Sequence, residues 1–253
     1  MKKQRKNRYL FWAGLGVFVC LVFLSGLPVK RFGMKEPPKA YESQEVQEVS
    51  AALVQIRAGE ASGSGVIYGE QDENLLILTA GHVLEHTEGE IQILFQDGFT
   101  AKSSVYRKAE HADMVFIRVP FSEISPENAE GYTPVRTDKK AYDALQKGDR
   151  ILVTGKEWDG TVSASWGVLE EPWIYAEDFD QHMMLVRGTA GHGMSGGGVF
   201  DEAGNFIGIL CGKSMAENAA EGESAGSIEE ELAVLPLGVI AAGYQEMFLN
   251  KDP

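Results

Sequence analysis

Residues 191–200 read Gly191-His192-Gly193-Met194-Ser195-Gly196-Gly197-Gly198-Val199-Phe200. One serine sits among five glycines, immediately before a short apolar run. Glycine reaches backbone angles closed to other residues and lets another main chain approach closely. A serine hydroxyl is a weak nucleophile. It needs a base to take its proton and fixed donors to hold the developing oxyanion. A tight turn over Gly193-Met194-Ser195 would aim the N–H groups of Gly193 and Ser195 at one point beside the hydroxyl. Taken alone, the stretch also fits a glycine-rich hairpin with an incidental serine.

Two other stretches bear on that choice. Leu75-Leu76-Ile77-Leu78-Thr79 runs into Ala80-Gly81-His82-Val83, a buried strand with a histidine at its end. His111-Ala112-Asp113 precedes the apolar run Met114 to Ile117. A lone histidine beside apolar residues is usually structural, and an aspartate at the mouth of a strand is usually a cap. Together the three stretches supply a base, a carboxylate and a nucleophile, in the order His82, Asp113, Ser195. The carboxylate would fix the imidazole tautomer and stabilise its protonated form.

Thr79-Ala80-Gly81-His82, Ala112-Asp113-Met114 and Gly193-Met194-Ser195-Gly196-Gly197 resemble the three signature blocks of trypsin-like (chymotrypsin-fold) serine peptidases. The bacterial, disulfide-free Deg/HtrA branch is the most similar. Ser62 to Ile67, Leu145 to Ile151 and Gly204 to Ile209 resemble further strands of that branch, so the likeness spans roughly residues 50 to 245. It implies an all-β fold of two antiparallel six-stranded β-barrels with a C-terminal helix and the site in the cleft between them. It implies His82, Asp113 and Ser195 as the triad and the N–H groups of Gly193 and Ser195 as the oxyanion hole. It also implies substrate pairing along Leu210, Cys211, Gly212 and Lys213, and a primary pocket whose wall starts at Thr189. Gly198 stands where a proline is common, no activation terminus is present, and Thr189 carries no charge from which specificity could be read.

The segmentation agrees with β architecture. Short apolar runs at 53–56, 75–78, 91–95 and 115–119 are separated by turn residues, and a second set begins at 151. Barrel one is expected at about 51–125 and barrel two at about 145–245. Phe121 to Lys147 reads as the connector and Leu237 to Leu249 as the closing helix. No binding module is expected after the protease domain.

Ahead of this domain, Lys2, Lys3, Arg5, Lys6 and Arg8 precede 18 uncharged, mostly apolar residues, Leu10 to Leu27. A helix of that length just spans a hydrocarbon core of about 30 Å. The basic cluster places the N-terminus on the cytoplasmic side. Residues 1–9 are therefore expected as a cytoplasmic tail, 10–27 as one transmembrane anchor, and 28–50 as a stalk leading to an extracytoplasmic domain. A cleaved signal peptide is the alternative, although Leu24-Ser25-Gly26 is a poor cleavage site. An ordered arm packed on the domain stays open for Val46 to Ser50.

Net charge is −14, with the basic cluster at the N-terminus, so the remainder is more acidic still. Nucleic acid is disfavoured as a partner on that ground and is not expected. Glu217 to Glu231 holds six glutamates without a basic residue and is expected to favour cationic peptides. Cys20 lies in the apolar segment and Cys211 in the domain, so they are not expected to pair. Cys211 reads as a small buried hydrophobe. No Cys/His spacing suggests a metal, and no cofactor is expected. The function that emerges is a membrane-anchored serine endopeptidase. A silent peptide-binding or sensing module on a protease fold, and an esterase using the same triad, remain alternatives.

Overall fold

Short apolar strands closed by tight turns pair here into two antiparallel sheets. The computed structural model describes residues 44–85, 87, 89–124, 131–213 and 230–249. They belong to the unit Ala40–Pro253. The expected anchor at 10–27, most of the stalk and Glu217–Glu229 lie outside the described residues. Among the described residues no helix is long and apolar enough to cross a membrane.

The first sheet contains β1 (Leu53–Ala58), β2 (Ala61–Gln71), β3 (Asn74–Thr79), β4 (Ile91–Leu94), β5 (Thr100–Ser103), β6 (Tyr106–Lys108) and β7 (Val115–Pro120). Their order is β5-β4-β1-β2-β3-β7-β6. This corrects the expected closed six-stranded barrel to a seven-stranded sheet ending at β5 and β6. The physical reason lies in those two strands. They are short and polar, and all three residues of β6 are exposed, so neither carries an apolar signal. The segment joining them turns back on β7: Ser103 Oγ donates to the Arg118 carbonyl (2.6 Å) and Arg118 N–H donates to the Val105 carbonyl (2.9 Å).

The second sheet closes as the six-stranded barrel expected. Its strands are β8 (Arg150–Lys156), β9 (Val162–Ala176), β10 (Gln181–Gly188), β11 (Gly198–Phe200), β12 (Phe206–Lys213) and β13 (Glu230–Pro236). They run in the order β10-β13-β12-β11-β8-β9. Its continuous apolar runs follow from burial on both faces. Ile151 and Val153 of β8 point into the second core, while Leu152 packs in the first; Ile207 and Leu210 of β12 alternate likewise with Phe206, Ile209 and Cys211.

A short helix, α1 (Gln44–Ser50), precedes β1. It buries Val46 and Val49 in the first core, and Ser50 Oγ donates to the Val46 carbonyl. The arm left open for Val46 to Ser50 is thus packed on the domain. In the connector, α2 (Lys139–Asp143) is capped by Asp138 Oδ1, which accepts from the N–H groups of Lys140 and Ala141. Val135 N–H donates to Ile67 in β2, and Phe206 N–H in β12 donates to Arg136, so the connector ties the two sheets together. The C-terminal helix α3 (Leu237–Tyr244) continues into a π-helical turn over Gln245–Leu249.

Candidate active site

β3 and β7 are neighbours with Thr79 opposite Val115. The 3-10 turn Gly81–Leu84 begins two residues beyond Thr79, and Asp113 stands two residues before Val115. Sheet register alone therefore brings His82 and Asp113 together. His82 Nδ1 lies 2.7 Å from Asp113 Oδ2, and the His82 backbone N–H donates to Oδ1 at 2.8 Å. An ionised carboxylate can only accept, so Nδ1 carries a proton, and in the neutral ring the Nε2 lone pair is the acceptor. Burial pushes the Asp113 carboxyl up. The hydrogen bond and charge of the His82 ring, the His82 N–H and the Cys211 thiol outweigh it and hold the carboxyl below the ordinary aspartate value.

Ser195 follows a turn whose type can be assigned. Met194 N–H donates to the Gly191 carbonyl (3.4 Å), and Gly193 has φ of 92°. Among the described residues only Asp72, Glu73 and Asp180 have positive φ without being glycine, so His192 has negative φ. Negative then positive φ across the central pair defines a type II turn, in which the central peptide is turned over relative to type I. That sign at position 193 is why a glycine is needed there. Among the described residues neither the Gly193 nor the Ser195 N–H donates to a protein acceptor. Both are free for a ligand oxygen.

The Ser195 loop is pinned against the strand that leads to His82. Ser64 N–H donates to the Ser195 carbonyl (2.7 Å), and Thr79 Oγ1 donates to the Ser64 carbonyl (2.7 Å). Gly196, with φ of 84°, abuts this pair: a β-carbon there would stand 2.9 Å from the Ala80 nitrogen and closer still to Ser64 and Thr79. Only glycine fits. The residue after Ser195 thus touches the segment two residues before His82.

The implied substrate residues divide by burial. Leu210 and Cys211 are buried, Gly212 is half-buried, and Lys213 is exposed and paired with Glu230. On one edge β12 pairs with β13 (Leu210 opposite Val234, Gly212 opposite Ala233, Lys213 opposite Leu232), with a bulge at Cys211. On the other edge β11 stops opposite Ile209, and Leu210 bonds to Gly196 and Gly197. Beyond that point no described strand covers Cys211 to Lys213. The Thr189 carbonyl accepts from Ser165 Oγ (2.6 Å), tying that segment to β9. His192 occupies the turn, and the Cys211 thiol is raised by burial first and by the Asp113 charge second.

Three positions around the site escaped the sequence, and Cys211, expected on the substrate strand, makes a further contact. Ser64, fully buried, donates through Oγ to the Gly193 carbonyl (2.7 Å) and accepts from the Lys156 N–H (2.7 Å). Gln55, also fully buried, donates to the carbonyls of Glu157 (3.1 Å) and Trp158 (3.1 Å). Gln181 Oε1 accepts from Asp113 N–H (3.3 Å), and Cys211 Sγ reaches the Asp113 carbonyl (4.0 Å). A polar residue at an inward position of an apolar strand was the available signal for Ser64 and Gln55.

Residues 63–209, more than half of the chain, match the trypsin-like peptidase domain family. No curated protein matches the sequence. The fold is similar to that of Rv3671c from M. tuberculosis H37Rv, solved as an inactive serine-to-alanine mutant: identity 18%, covering 86% of this chain and 96% of that one, TM-score 0.63. It is also similar to the HtrA-type protease AlgW with a tripeptide: identity 19%, covering 80% of this chain and 62% of that one, TM-score 0.63. At such identities the likeness is one of fold. The sequence match contains the histidine, aspartate and serine blocks, and with it the chain belongs to the trypsin-like peptidase family.

Proposed function

We propose that this chain is a serine endopeptidase, held on a membrane by residues 10–27, that cleaves peptide bonds through an acyl-enzyme on Ser195. His82 Nε2 takes the hydroxyl proton as Ser195 Oγ attacks the scissile carbonyl. The N–H groups of Gly193 and Ser195 receive the oxyanion. Asp113 holds the imidazole tautomer and stabilises the imidazolium. His82 then hands the proton to the leaving amine, and water releases the acyl group by the same route. The acyl half of the substrate extends along the uncovered edge of Cys211 to Lys213, behind Leu210, with its side chain directed towards the Thr189 wall. The basic cluster before Leu10–Leu27 puts the N-terminus inside and the peptidase domain outside the cytoplasm.

The observation that carries this reading is the double hold of Asp113 on His82, at 2.7 and 2.8 Å, which leaves Nε2 as the available base. The test is turnover of matched peptides and esters by the full chain in detergent, beside Ser195→Ala. Peptide hydrolysis lost in Ser195→Ala is expected. Ester turnover without peptide turnover would make it an esterase. Peptide binding with no turnover of either would make it a binding module.

A further inference from the structure

Asp113 stands in a bend between β6 and β7, and its main chain bonds to no other main-chain group among the described residues. The bend closes only through its neighbours. Met114 N–H donates to the Ala112 carbonyl (2.7 Å), and Ala109 N–H donates to the Met114 carbonyl (3.1 Å). Glu110 and His111, at its start, are exposed. Gly81 abuts the bend on one side, where a β-carbon would lie 2.8 Å from Asp113 Oδ1. Both main-chain groups of Asp113 are instead met by side chains of the second barrel. Its N–H donates to Gln181 Oε1 of β10 (3.3 Å), and its carbonyl faces Cys211 Sγ of β12 (4.0 Å).

Gln181 is 7% exposed and turns inward like Met183, two residues on, which packs in the first core. The orientation of its amide follows from its partner. An N–H needs an acceptor, so Oε1 faces Asp113 and Nε2 does not. Nε2 is buried and donates to no described acceptor. An unpaired buried donor is costly, and a methionine would fill the same space without one. Packing therefore does not account for an amide at this position, whereas the bond to Asp113 does. The turn Glu177–Phe179 that leads towards Gln181 is braced on β12: a β-carbon at Gly212 would stand 3.7 Å from the Phe179 ring.

We propose that Gln181 is a positioning residue, fixing the bend that presents the Asp113 carboxylate to His82, so that the second barrel sets the geometry of a pair carried wholly by the first sheet. This rests on the peptidase reading above. The carboxylate accepts from His82 Nδ1–H and from the His82 backbone N–H at once, at 2.7 and 2.8 Å, which requires a fixed main chain at Asp113. The titratable groups acting on that carboxyl are His82 and the Cys211 thiol, and burial keeps the thiol protonated.

The experiment uses the full chain in detergent. Gln181→Met keeps the length of the side chain and removes the acceptor. It also removes the unpaired Nε2, so the urea midpoint should stay close to that of the wild type. Its kcat for a peptide should fall about tenfold with KM unchanged, the effect of a misplacement short of 1 Å. The acid limb of kcat/KM should move to lower pH by roughly half a unit, since a loosened carboxylate stabilises the imidazolium less. Gln181→Glu keeps an acceptor oxygen and should recover most of kcat on the pH plateau. A kcat unchanged in Gln181→Met, or an unmoved acid limb with only the urea midpoint lowered, overturns the proposal. Should Gln181→Met not fold, Gln181→Asn, one methylene short of the contact, takes its place with the same expectations. The low-field proton resonance of His82 Nδ1–H reads the pair without substrate. It should be sharp in the wild type and Gln181→Glu, and broadened or shifted upfield in Gln181→Met. If the wild type turns nothing over, the peptidase reading fails and this comparison alone decides: a resonance unaltered in Gln181→Met overturns the positioning role.

Discussion

Ser64→Ala removes a hydroxyl that couples the first sheet to the Gly193 turn. Ser64 is fully buried, donates to Gly193 at 2.7 Å and accepts from Lys156 N–H at 2.7 Å, with a weaker share to the Lys156 carbonyl at 3.2 Å. Alanine is nearly the same size, so little cavity forms. The cost is in polar groups left without partners. Lys156 N–H becomes a buried orphan donor, worth about 1–3 kcal/mol, and the bond to Gly193 adds about 1 kcal/mol. The expected loss is therefore about 2–4 kcal/mol in urea unfolding of the full chain. Exposed Ser122→Ala serves as the control, expected within about 0.5 kcal/mol of wild type. Under the proposed function, loosening Gly193 should also lower kcat by roughly tenfold. That is less than the hundredfold or more that follows removal of an oxyanion donor. Stability equal to that of Ser122→Ala, or a loss confined to KM, would refute the coupling.

Asp113→Asn should lower kcat by about four orders of magnitude, because the amide can donate to the imidazole and select the wrong tautomer. The same change should alter acid stability. The Asp113 carboxyl is held below its ordinary value, so its contribution is fully present above about 3.9 and is lost as pH falls through the lower folded value. Asp113→Asn should flatten that part of the stability–pH curve, and an unchanged acid limb would contradict the assignment. In a Cys20→Ser background the Cys211 thiol should resist a thiol-reactive disulfide reagent until unfolding, since burial and the nearby carboxylate both oppose the thiolate; rapid labelling of the native protein would be inconsistent with this. Protease shaving of intact cells should release a fragment beginning within residues 29–43, whereas protection of the domain would reverse the topology.

Much of the site was legible because its chemistry is local in sequence. Ser195 and its glycines mark a turn and a close approach that Gly193 and Gly196 indeed make. His82 and Asp113 stand at the ends of apolar runs that pair as β3 and β7. Their meeting is a consequence of register, which no single run contains. β5 and β6 stayed hidden because short polar edge strands resemble loops. The far end of β9, which runs to Ala176, stayed hidden because Trp173, Ile174 and Tyr175 stand exposed and give no alternating apolar signal. Ser64 and Gln55 were missed for another reason. Their partners, Gly193, Lys156, Glu157 and Trp158, lie some ninety to one hundred and thirty residues away, and only the packed fold reveals the hydrogen bonds.

The central claim is that Ser195 is a nucleophile activated by His82. It is tested most directly by treating the full chain with a fluorophosphonate and mapping the adduct by mass spectrometry. One adduct is expected, on Ser195, absent in Ser195→Ala and formed far more slowly in His82→Ala. No adduct on the folded wild-type protein, or labelling of Ser195 at an unchanged rate in His82→Ala, would contradict it.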